Sequence, residues 1–117
     1  MRVNPSSVGF PMSFEIHMFS AVGVATERTG FATGERHPLL VFLRQSAGSE
    51  HDTAGAMHAA TQAGWIGVDI TKAGTLPEDA GATMADPVRS AYVSAVEGGA
   101  GVLAFDAVVK PAPRKAG

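Results

Sequence analysis

The predicted order of elements, β-β-α-β-α-β, places this chain in the α+β class. The expected form is a two-layer sandwich, a four-stranded sheet with two helices on one face. Three observations lead there. Phe14, Ile16 and Met18 alternate with Glu15, His17 and Phe19, as on a strand with two unlike faces. Leu39-Leu40-Val41-Phe42-Leu43 is apolar on both faces and reads as a central strand. Two alanine-containing segments carry their apolar residues at helical spacing, one stripe each. The nearest familiar arrangement is ferredoxin-like, although the extra strand it requires is not visible in 73–85.

The length of 117 residues fits one domain, large enough to bury roughly 65% of its unfolded surface. Residues 1–11 read as a short extension, 12–109 as the domain, and 110–117 as a basic, proline-rich, solvated tail. The absence of cysteine excludes disulfides, thiolate metal sites and cysteine nucleophiles. With a net charge of −2 and 17% charged residues, no global field favours nucleic acid or an anionic membrane. No apolar run approaches the ~20 residues that span a bilayer, and no secretory leader is visible. The expectation is a cytoplasmic protein that uses no cofactor.

The first strand spans 13–24. The polar segment 26–36, with Gly30 and Gly34, reverses the chain, so the next strand pairs antiparallel with the first. That second strand, 39–44, follows Pro38, which suits a strand's first position. The first helix is expected over 50–63, capped by Ser49 with Asp52 at N3, and closed by Gly64 and Trp65. The third strand, 65–72, alternates Ile66, Val68 and Ile70 with Gly67, Asp69 and Thr71. Segment 73–85 reads as loop. Asp86 caps the second helix, with Pro87 at N1, and Gly98 and Gly99 stop it. The last strand spans 102–109. Two-sided apolarity in strand two requires a cover on the second sheet face, and a second copy of the chain is the expected cover, giving a homodimer.

Val41-Phe42-Leu43-Arg44, the Ala-rich helix, Gly64-Trp65 and Ala73-Gly74-Thr75-Leu76-Pro77 resemble a group of small uncharacterised bacterial α+β proteins. The resemblance covers residues 39–109 and implies the fold alone. It transfers no activity and no site residue, and residues 12–37 look like an addition to the pattern.

Candidate chemistry falls into four groups. Gly98-Gly99-Ala100-Gly101 follows a helix and precedes a strand, the reverse of a phosphate loop. The turn from Gln45 to Ser49 has the right order, so Arg44 and Ser49 are candidate ligand contacts, opposed by the carboxylates of Glu50 and Asp52 at the same helix end. Glu15 and His17 share a strand face and can act as base and orienter, with His37, at the mouth of strand two, as a third catalytic candidate. Asp69 and Asp106 would form a carboxylate pair if their strands were adjacent, and complete the candidate ligand contacts. His51 and His58, seven residues apart, would be ~10 Å apart along a helix, too far to share a metal, so no metal is expected. The leading functional expectation is a non-catalytic homo-oligomeric or small-ligand-binding module. The alternative is a small cofactor-independent enzyme using Glu15, His17 and His37.

Overall fold

The computed structural model describes residues 13–109, so the 1–11 extension and the 110–117 tail lie outside the described residues. The elements are β1 (Phe14–Val24), β2 (Arg36–Ser46), α1 (Thr53–Gln62), β3 (Ile66–Thr75), α2 (Val88–Gly98) and β4 (Ala100–Ala104). Short 3₁₀ turns occupy Glu27–Thr29 and Ala80–Thr83. All strand pairings are antiparallel, in the order β3-β1-β2-β4. The α+β class and the four-stranded sheet follow the sequence expectation; the strand order does not match a ferredoxin-like fold.

Register decides which residues share a face. His17 lies opposite Leu43, Phe19 opposite Val41, and Ala21 opposite Leu39. This set forms one core with Ala56 and Ala60 of α1 and with Trp65. The alternate set, Ile16 and Phe42 with Met18, Leu40 and Leu103 at the margin, forms a second core with Ala91 and Ala95 of α2. The helices therefore lie on opposite faces, and the architecture has three layers, not two. The two-sided apolarity of β2 has its physical reason here: Leu39, Val41 and Leu43 face α1, while Leu40 and Phe42 face α2. The sheet face on which a second copy was expected is covered by α2 itself.

The α2 layer sits very close to the sheet. A methyl group added to Gly101 would run into the Ala91 carbonyl, 2.8 Å from its carbon. Only a residue without a side chain permits that approach.

The caps differ in detail from the sequence expectation. Helix α1 starts three residues later than expected, at Thr53, with Asp52 as the N-cap accepting the Gly55 N–H at 2.9 Å. Its end is a Schellman motif: the Trp65 N–H bonds the Ala60 carbonyl, the Gly64 N–H bonds that of Thr61, and Gly64 has φ +104°. Helix α2 begins at Val88, so Pro87 and not Asp86 takes the N-cap position; Asp86, two residues before the helix, accepts the Ser90 N–H and hydroxyl at 3.1 and 2.7 Å. The last strand ends at Ala104 instead of continuing to 109.

Candidate functional site

The site begins with a strand and a turn. Glu15 and His17 point from β1 to the α1 side of the sheet. His17 is fully buried, yet its Nε2–H donates to Glu15 Oε2 at 2.7 Å. The same carboxylate oxygen accepts the Gly48 N–H at 3.1 Å. The bond from His17 holds the Glu15 carboxyl below its ordinary range and outweighs the burial that pushes it up; the Gly48 N–H adds to the lowering. The carboxylate form is thus the one built into the fold.

The other ring nitrogen of His17 reaches His51. The two Nδ1 atoms are 2.8 Å apart, with the rings edge-on, centroids 4.7 Å apart and planes at 75°. His51 is exposed, and its ring also meets the edge of Phe19 at 6.0 Å. The 49–52 segment that carries His51 is held by Gln45. Its Nε2 donates to Ser49 Oγ at 3.0 Å and to the Glu50 carbonyl at 2.7 Å, and its Oε1 accepts the Asp52 N–H at 3.1 Å. The result is a continuous chain from Glu15 through buried His17 to solvent-facing His51.

The chemistry of this chain follows from donor and acceptor count. A carboxylate only accepts, so His17 Nε2 carries a proton. In neutral His17, Nδ1 is then a lone pair, and it accepts the Nδ1–H of His51. That assignment leaves the Nε2 of His51 as a lone pair, and this atom makes no hydrogen bond to a described residue. A proton arriving there creates an imidazolium whose charge is shared with His17 and met by Glu15. Two imidazoles and a carboxylate thus stand in line, an order that would suit a base, its orienter and a charge partner.

The remaining candidates go elsewhere. His37 is paired with Gly23, six residues along β1 from His17, so the two are roughly 20 Å apart and share no site. Arg44 lies on the opposite face from the turn: Nη1 donates to the Val96 carbonyl at 2.8 Å and the guanidinium lies over the Phe14 ring, capping the C-terminal end of α2. The turn it was expected to serve closes on itself, since the Ser49 N–H donates to the Ser46 carbonyl and that of Gly48 to Glu15. The Ser49 hydroxyl accepts from Gln45 Nε2 at 3.0 Å. Asp69 is on edge strand β3 and Asp106 lies beyond the opposite edge strand, β4, three strand spacings or roughly 14 Å away. They cannot pair. His58 is exposed, lines the surface groove beside β4 and lies 3.4 Å from the Gln62 Nε2.

Sequence reasoning missed His51 and Gln45. Reading Ser49 as the cap put His51 on the helix and aimed it at solvent beside His58. With Asp52 as the cap, His51 becomes a loop residue free to fold back onto the sheet. The competing signal was present: Asp52 stands three residues before Gly55, the spacing of a side-chain cap.

Two cavities open at the surface. One of about 340 Å³ lies between β1, α2 and the 76–78 loop, lined by Phe14, Glu15, Ile16, Leu76 and Tyr92 among others, so it meets the site only at Glu15. A groove of about 590 Å³ runs beside β4, between Leu43, Ala59, Ala63 and Val102. Neither is lined by His17 or His51. Among the described residues no group of three or more His, Asp or Glu is placed to hold a metal ion, and no helix is long and apolar enough to cross a membrane. No protein-family model matches the chain, and no curated protein or solved structure matches it.

Proposed function

We propose that this chain is a small-ligand module that works by cofactor-independent proton transfer, with His51 as the exchanging group, His17 as its orienter and Glu15 as the charge partner. One observation carries the reading: the unbroken hydrogen-bond chain Glu15–His17–His51, with a fully buried middle member and an exposed end. A buried histidine bonded at both nitrogens holds the outer ring in one orientation and one tautomer, which an isolated surface histidine lacks. This moves the preferred reading from the non-catalytic module toward the acid–base alternative, with His51 in the place first given to His37. Glu15 is the carboxylate coupled to this pair of rings, and the residues on either side of His51 in the chain, Glu50 and Asp52, are acidic, so the ligand favoured is neutral or cationic.

Diethyl pyrocarbonate tests this without a known substrate. The lone pair of an imidazole nitrogen attacks one carbonyl, and ethanol and carbon dioxide leave. His51 and His58 are both exposed, so His58 is an internal control. His51 is expected to react roughly 10-fold faster than His58, a modest share of what positioned acid–base groups contribute. Equal rates, mapped by peptide mass spectrometry, would show that the chain behind His51 does nothing to its reactivity.

A further inference from the structure

The spacing Glu-x-His occurs twice, at Glu15/His17 and at Glu35/His37. The second copy is built for a different task. His37 is 1% exposed, enclosed by Phe31 at 4.3 Å and by Trp65 at 5.7 Å between ring centroids. Both of its ring nitrogens face acceptors. Nδ1 lies 2.7 Å from the Phe105 carbonyl and Nε2 lies 3.0 Å from Glu35 Oε1. A carbonyl and a carboxylate have no proton to give, so only the imidazolium, with two N–H groups, satisfies both. A neutral ring leaves one buried contact lone pair to lone pair.

The Phe105 carbonyl belongs to the segment that leaves β4. That segment continues beside β2 through two backbone bonds, Phe105 N–H to the Pro38 carbonyl at 3.0 Å and Val109 N–H to the Arg36 carbonyl at 2.7 Å. Phe105 and Val108 are exposed apolar residues at 37% and 49%, so packing does little to hold the segment. The side-chain bond from His37 is its tie to the interior.

We propose that His37 is a proton-operated latch: its imidazolium pins residues 105–109 to the start of β2 through the Phe105 carbonyl, and loss of the proton lets that segment leave the sheet edge. The charged groups around the ring agree in sign. Glu35 comes from the turn before β2 and Asp106 from the latched segment itself; the other elements packed on the ring present Phe31 and Trp65, which carry no charge. Arg36 is the neighbouring residue and points to the other face of β2. Burial opposes the charged form, but the Phe105 carbonyl and Glu35 outweigh it, and Asp106 adds to them, so the His37 proton is held above the ordinary value of 6.5. A raised value in the folded state means that the latch contributes fully below about pH 6.5 and is lost as pH rises through the raised value.

The test is hydrogen exchange of the Val109 amide in the full chain, expressed as a protection factor so that base catalysis cancels. Imidazole ¹⁵N shifts report the His37 proton in parallel, and Trp65, the single tryptophan, reports it by emission. Val109 protection is expected to fall at least tenfold across the His37 titration, while Val41 amide protection stays level. Glu35→Gln keeps the ring and should move both curves together to lower pH, which keeps the test alive if His37→Gln does not fold. Flat Val109 protection while His37 loses its proton would overturn the latch. So would a neutral His37 at pH 6 with the segment still docked.

Discussion

Gly101→Ala is expected to destabilise the protein by about 3 kcal/mol, the upper end of what overpacking costs. For a domain near this size that lowers the melting midpoint by roughly 12–24 °C. The reason is the closeness of α2 to the sheet. The new methyl meets the backbone of Ala91, not the flexible end of a side chain, so no rotamer change relieves it. The helix must rise, and with it Ala91 and Ala95 leave Phe42 and Ile16 in the second core. Gly98→Ala is the control: open space surrounds that position, and the same chemical change there should cost far less. Thermal melts of the two variants check this. Equal midpoints would mean that α2 does not sit on Gly101 as described.

His17→Leu is expected to leave the fold standing and remove the chemistry. His17 lies in a buried row with Phe19 on its own strand and Leu43 across the pair, so leucine meets a setting that accepts it. Removing one partner of a buried pair is costly where the other is left unsatisfied, but the Glu15 side chain is 23% exposed and can turn to water. Glu15 keeps the Gly48 N–H as a partner. His51, however, loses the acceptor that fixes its tautomer and the route by which its charge reaches Glu15. Its acylation by diethyl pyrocarbonate should slow roughly tenfold, to the rate of His58. The melting midpoint serves as the second readout. A slow His51 with an unchanged midpoint assigns His17 a positioning role; an unchanged rate refutes it.

Much of the frame was legible in the chain, and the limits have physical causes. Alternation in Phe14–Phe19 placed Glu15 and His17 on one face, and the structure keeps them there. The apolarity of Leu39–Leu43 required a cover on both sides, but periodicity does not say which helix covers which face. The side of the sheet taken by a helix depends on register and loop path, which are long-range. The same limit hid the site's outer member. His51 lies 34 residues from His17, and its approach rests on where α1 begins, a boundary that Ser49 and Asp52 both compete to set. Asp69 and Asp106 failed for a related reason: strand order, invisible locally, put them on opposite edges. The repeated Glu-x-His spacing was the readable signal behind both histidine clusters, one ending at solvent and one closed.

The central claim is the hydrogen bond between the two imidazoles. Long-range ¹H–¹⁵N correlation on the ¹⁵N-labelled full chain at neutral pH tests it directly. The account predicts one proton scalar-coupled to both the His17 and the His51 Nδ1, His17 Nε2 protonated, and His51 Nε2 with the shift of an unprotonated nitrogen. A His51 ring whose Nδ1 shows no coupling to His17, with its tautomers averaging freely like those of His58, would contradict it.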